Sequence, residues 1–156
     1  MKKILSLIVL LVAFASCEED VKFNDPAVQA FKDNELWQAG AFRAVRGIDN
    51  SLTVTASKGY EVVTLRTASI TPGDYELGLN QNNRASYVVS ADGIEMAYQT
   101  GTEGNGMIVI SDKKRETDLD RGYITGTFFF KAVDEQDGAV YFDKGIFYKI
   151  PIENAQ

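Results

Sequence analysis

Two short turns constrain this chain more than anything else in it, because the residues on either side of each sort cleanly by polarity. Asp92-Gly93 is a dipeptide suited to the left-handed conformations of a two-residue hairpin turn. Folded there, Val89 faces Met96 and Tyr87 faces Tyr98, while Ser90 meets Glu95 and Ser86 meets Gln99 on the other side. Lys58-Gly59 reads the same way. Ala56 then faces Glu61, Val54 faces Val63 and Leu52 faces Leu65, with Thr53 opposite Thr64 and Thr55 opposite Val62. Each hairpin gains one mostly apolar and one mostly polar face. Side chains alternate along a strand, so a one-residue slip would mix the faces.

The same reading extends along the chain. Asp49-Asn50 joins a strand over residues 42–48 to one over 51–57, pairing Val45 with Val54. Arg43 then points inward unless a bulge near Gly40 intervenes. Thr71-Pro72-Gly73-Asp74 has the residues of a type II turn, with a strand over 75–79 leaving it. Residues 107–111 and 122–132 form further strands joined by a charged loop over 112–121, and 138–143 with 145–152 form a last hairpin. In the strand Tyr123 to Ala132, one face carries Ile124, Phe128, Phe130 and Ala132 and the other Tyr123, Thr125, Thr127 and Phe129. Gly126 interrupts the first set, as a glycine does where a backbone or a bulky ring comes close. A short helix is expected at the start of the domain, with Asp25 as N-cap, Pro26 in the first turn, Ala27, Ala30 and Phe31 on one face and Asn34 at the end. The fold class is therefore all-β: an antiparallel meander of about ten short strands forming a sandwich or small barrel, after a short N-terminal helix.

The first residues carry an address. Lys2 and Lys3 precede an apolar run over 4–14, too short to span a bilayer, and then Ala15, Ser16 and Cys17. Phe14-Ala15-Ser16-Cys17 resembles the bacterial lipobox, with Phe14 where leucine is usual. This divides the chain into a signal peptide (1–16), a lipidated acidic tether (17–24) and one domain (25–156). Cys17 is the only cysteine, so no intramolecular disulfide is available. Each buried methylene of an acyl chain contributes about 0.8 kcal/mol, so two or three chains on Cys17 make a lasting membrane anchor. Loss of the leader removes Lys2 and Lys3 and no acid, leaving 14 basic and 22 acidic residues, a charge of −8. A domain so acidic repels nucleic acid. Glu18, Glu19 and Asp20 resemble the acidic signal that carries lipoproteins of the Bacteroidota to the outer surface; a solvated tether is the alternative reading.

Further resemblance lies in the domain itself. Gly122-Tyr-Ile-Thr-Gly-Thr-Phe-Phe-Phe-Lys-Ala132 followed by Gly145-Ile-Phe-Tyr-Lys-Ile-Pro-Ile152 is similar to the C-terminal half of small lipoproteins of flavobacteria and their relatives. Leu36-Trp37-Gln38-Ala39 and Gly73-Asp-Tyr-Glu-Leu-Gly78 fit the same group, which is classed as a domain of unknown function. The resemblance implies an exported all-β lipoprotein and brings no catalytic residues with it.

Chemistry is scarce. The chain has no histidine, which excludes histidine-dependent triads and Cys/His zinc sites. Gly101-Thr-Glu-Gly104-Asn-Gly106 lacks the lysine of a phosphate-binding loop. Asp134 and Asp137 could ligate calcium, but the EF-hand pattern is absent and a solvated hairpin loop is preferred. Glu116, Asp118 and Asp120 lie beside Lys113, Lys114 and Arg115, which favours internal pairing. Trp37 is either a core plug or an exposed platform for a sugar, with the plug preferred. The expectation is a lipid-anchored, non-enzymatic binding or structural module of the outer membrane. It would act at the cell surface or the periplasmic face, without cofactor, on an unidentified protein or glycan partner. A lipocalin-like carrier of an apolar ligand and a carboxylate-dependent hydrolase are the alternatives.

Overall fold

Burial alternates residue by residue along most of the chain, and the architecture follows from that alternation. The computed structural model describes residues 26–78, 82–101 and 103–155. Within them one mixed sheet contains β1 (Val28–Lys32), β2 (Glu35–Gln38), β3 (Ala41–Arg46), β4 (Leu52–Lys58), β5 (Glu61–Thr67), β6 (Gly73–Leu77), β7 (Arg84–Ala91), β8 (Ile94–Gln99), β9 (Asn105–Ile110), β10 (Tyr123–Val133) and β11 (Ala139–Asn154). Strands β3, β4, β5, β7 and β8 follow one another as antiparallel neighbours. Strand β8 then meets β10 at Gln99 and Val133, β10 pairs with β11, and β11 runs parallel to β3 through Ile152 and Ala44. The sheet thereby closes on itself as a barrel. The β1–β2 ribbon continues it beside the first part of β11, and β9 with β6 continue it beside β10.

The Asp92-Gly93 hairpin forms in its expected register. Tyr87 faces Tyr98 and Val89 faces Met96, with Asp92 and Gly93 at φ 53° and 79°. Other expectations are corrected. Where a helix was expected after the tether, the described residues form β1 and β2, joined by Asp33 and Asn34 at φ 48° and 68°; Asp25 lies outside the described residues. Val28 and Ala30 are buried while Phe31 is exposed, a period of two that a free strand edge on β11 makes more favourable than an isolated turn of helix. The β4–β5 turn is Gly59-Tyr60, so Val54 faces Leu65 and Ala56 faces Val63; each residue keeps its expected face but changes partner. In β3 the pairing is Ala44 with Val54, one residue from the expected register, which buries Ala44 and leaves Arg43 outside with no bulge. The expected last hairpin is the single strand β11, paired along its length with β10. The meander is mixed rather than purely antiparallel because closure requires the parallel β11–β3 pair. Strand β6 starts at Gly73 and ends at Leu77, and Leu79 lies outside the described residues.

The β10–β11 pair carries much of the core. Ile124, Phe128, Phe130 and Ala132 are all buried, as their spacing requires. Gly126 faces Phe147 across the pair, and Gly145 faces Phe128. A Cβ on Gly126 would collide with the Phe147 ring and the Val109 carbonyl, and one on Gly145 would lie 2.5 Å from the Phe128 ring. Each glycine is thus the seat of a ring from the opposite strand. From there rings continue through the interior: Phe128 to Phe130 at 6.2 Å, Phe130 to Phe142 at 4.8 Å, then Trp37 at 5.9 Å and Tyr87 at 5.4 Å from Phe142. Each such side chain contributes about 1.5–3 kcal/mol through burial.

Candidate functional site

Strands β10 and β11 depart from regular pairing twice, between Ile124 and Gly126 and between Phe128 and Phe130. Lys149 and Lys144, at φ 46° and 49°, occupy the corresponding stretches of β11. Such bulges bend a strand and re-aim its outward side chains. Two depressions lie on the outer face of these strands.

The larger, of about 580 Å³, crosses β9, β10, β11 and β1. Asn105, Lys131 and Tyr141 are successive cross-strand partners on its floor. Asp33 closes the row, because its backbone N–H donates to the Tyr141 carbonyl at 2.9 Å and its carboxylate accepts the Tyr141 N–H at 3.0 Å. Phe31 and Phe129 form the apolar wall. Phe31, Phe129 and Tyr141 are 41 %, 49 % and 52 % exposed, unusual for rings of this size on neighbouring strands. The ammonium groups of Lys131 and Lys144 sit 6.0 Å and 5.9 Å from the ring centroids of Tyr141 and Phe31. At exposed sites such contacts are worth only about 0.5–1 kcal/mol, so a ligand displaces them easily.

The second depression, of about 470 Å³, lies further along β10, over Gly126 and Thr127. Asp74, Asp112 and Glu116 line it, and a carboxylate-dependent hydrolase would place its acids there. Glu116 is already engaged, accepting the Ser111 hydroxyl at 2.7 Å and the Lys113 ammonium at 3.4 Å. Thr125 was expected on the exposed side. It does face outward, but the loop after β9 covers it: its hydroxyl donates to the Glu116 carbonyl and accepts the Lys149 N–H.

A third constellation lies on the inner side of β1. Glu61 Oε2 accepts from Lys32 Nζ at 2.8 Å, Tyr87 Oη at 2.9 Å and Trp37 Nε1 at 3.0 Å. Burial works to raise the Glu61 pKa, but the donors from Lys32 and Tyr87 outweigh it and hold the carboxyl below its ordinary value. Burial likewise opposes the Lys32 charge, yet its bonds to Glu61 and Tyr87 leave that pKa raised; Tyr87 is raised chiefly by burial. This network fastens the β1–β2 ribbon to β5 and β7, with which the ribbon shares no ladder.

Of the residues singled out in the sequence, Trp37 is a core plug, 1 % exposed. Asp134 caps its turn, accepting the Gln136 and Gly138 N–H groups, and Asp137 takes the left-handed position at φ 63°. No cluster of three or more metal-ligating side chains occurs among the described residues. Asp118 pairs with Arg121 at 3.6 Å and Glu116 with Lys113, while Asp120 is exposed. Cys17, Glu18, Glu19 and Asp20 lie outside the described residues. The groove itself was missed, because it joins strands remote in sequence. Its available signal was Phe129, on the face opposite the core stripe. Among curated proteins and solved structures none matches the chain. A family model, that of a domain of unknown function designated DUF6252, matches residues 24–151, and the chain belongs to that family.

Proposed function

We propose that this protein is a lipid-anchored, non-enzymatic binding module of the bacterial outer envelope, held by acyl chains on Cys17, and that its ligand occupies the groove at Phe31, Phe129 and Tyr141. The observation carrying this reading is the exposure of those rings in one depression, since a folded domain gains nothing from leaving rings in water. An interior site for an apolar ligand is disfavoured by the rings packed from Phe128 to Trp37. Of the three acids that line the second depression, Glu116 is engaged on both oxygens, which removes it as a free acid or base. Lys131 and Tyr141 sit mid-sheet on rigid strands, which suits recognition without rearrangement.

The tether suits the same reading. From Cys17 to Phe31 the chain reaches at most about 50 Å, which keeps the groove close to the membrane. Three experiments test the proposal. Cys17→Ala should yield uncleaved or released protein without acyl mass; mature wild-type protein with an unmodified N-terminal cysteine overturns the anchor. Immobilised wild-type protein should retain a component of native envelope extract that the Phe129→Ala/Tyr141→Ala variant does not. Equal retention by both moves the site elsewhere. Neutralising Glu18, Glu19 and Asp20 tests the surface address, since surface exposure to added protease should then be lost.

A further inference from the structure

The groove's composition selects among ligand chemistries, and the inference rests on the groove being the binding site. Three features restrict what fits. The first is polarity. The row Asn105, Lys131, Tyr141 and Asp33 supplies hydrogen-bonding groups on one side, and Phe129 with Phe31 supplies an apolar wall on the other. A suitable ligand is apolar on its faces and rich in donors and acceptors along its edge. The second is charge. Lys131 and Lys144 are balanced by Asp33 and Asp143 around the groove, within a chain that is acidic as a whole. Neither a strong anion nor a strong cation finds a complementary field there.

The third is unused hydrogen-bonding capacity. The amides of Asn34 and Asn105 make no side-chain hydrogen bond within the described residues, and Asp33 engages only Oδ1, with the Tyr141 N–H. The backbone beneath is different. Strand β10 pairs with β9 and β11, and β11 pairs with β10 and β1, so the floor offers no free strand edge to an extended peptide. An acyl chain would leave the amides and the carboxylate without partners.

We infer that the groove binds a neutral carbohydrate lying across β9, β10, β11 and β1. The C–H faces of its pyranose rings rest on Phe129, Tyr141 and Phe31, and its hydroxyls meet Asn105, Asn34 and Asp33. Three strand spacings amount to about 14 Å, the scale of a short oligosaccharide rather than a single sugar.

The test uses the full chain, purified in a detergent without a sugar headgroup. It is titrated calorimetrically with neutral gluco-, manno-, xylo- and galacto-oligosaccharides, from disaccharide to hexasaccharide. At least one series should bind, with affinity rising with chain length until the groove is full. Phe129→Ala and Tyr141→Ala should each weaken it roughly tenfold, equivalent to about 1.4 kcal/mol. Thr127→Ala, in the second depression, should leave it unchanged. If all four series fail while envelope extract is still retained through Phe129 and Tyr141, the carbohydrate falls and the groove stands. If a carbohydrate binds the parent and both alanine variants equally, it binds elsewhere on the protein, and its assignment to the groove is overturned. In a parallel titration, an oligogalacturonate that binds more tightly than every neutral series overturns the neutrality of the ligand.

Discussion

Phe128, Phe129 and Phe130 are consecutive and chemically identical, yet they serve two regions with opposite demands. Phe128 and Phe130 are each 2 % exposed and stack at 6.2 Å inside the barrel, where glycines on neighbouring strands make room for them. Phe129, between them, is 49 % exposed on the groove wall. The inner rings are held by packing from all sides, so removing one leaves a void that the surroundings cannot fill. The outer ring is supported only from beneath, and its removal exposes little. In this protein an aromatic residue is structural or available for binding according to its parity along one strand.

The contrast can be broken most directly with alanine. Phe130→Ala should lower stability by about 3–5 kcal/mol, from lost burial plus the cavity left behind. That is a large share of the roughly 5–15 kcal/mol that holds a domain together, so its denaturant midpoint should fall steeply. Phe130→Ala melting like the parent would overturn the assignment of that face to the core.

Next in size are substitutions that fill the ring seats. Neither Gly126→Ala nor Gly145→Ala meets an unusual backbone angle; Gly145→Ala meets the Phe128 ring and isolates packing, whereas Gly126→Ala meets the Val109 carbonyl as well as the Phe147 ring. Each should destabilise by about 1–3 kcal/mol. If shortening the facing ring, as in Phe128→Leu, does not relieve Gly145→Ala, the glycine serves something other than that ring.

Glu61→Gln probes the ribbon attachment through pH. The folded-state pKa of Glu61 lies below its unfolded value, so its stabilisation is present above that unfolded value and is lost as pH falls through the folded one. Loss of a hydrogen-bonded charge should cost about 1.5–3 kcal/mol at neutral pH. The gap between variant and parent in urea melts should close on acidification, and a gap that persists unchanged in acid would show that charge is not its source. Lys32 acts at the other extreme. Its raised pKa gives stability present below the unfolded value and lost as pH rises through the folded one.

The smallest expected effects are on the outer face. Phe129→Ala and Thr127→Ala should shift stability by no more than about 0.5 kcal/mol. A collapse of Phe129→Ala would make that ring part of the fold and remove the groove's apolar wall from consideration as a binding surface.

What could be read in advance was local. Asp92-Gly93 set its hairpin because both residues tolerate the left-handed region and a slip would expose Val89 and Tyr87 together. The stripe Ile124, Phe128, Phe130 and Ala132 was legible because the period of a strand is two whatever it pairs with. Gly126 announced a close neighbour without naming it. Residues 26–34 show where this ends. Pro26, Ala27 and Ala30 suit a helix by themselves, and only the edge of β11, more than a hundred residues later, makes a strand the better state.

The sequence by itself therefore determined most of the strands after residue 50, the facing of β4, β5, β7, β8 and β10, and the Asp92-Gly93 turn, which depend on neighbours within a few residues. Tertiary structure decided the partners: the parallel closure of β11 on β3, the length of β11 and its departures from regular pairing, the joining of Lys32, Trp37, Glu61 and Tyr87, and the groove assembled from Asp33, Asn105, Phe129 and Tyr141. The physical reason is that side-chain alternation is a local property of the backbone, whereas which strand lies beside which depends on the free energy of burying the whole interior at once.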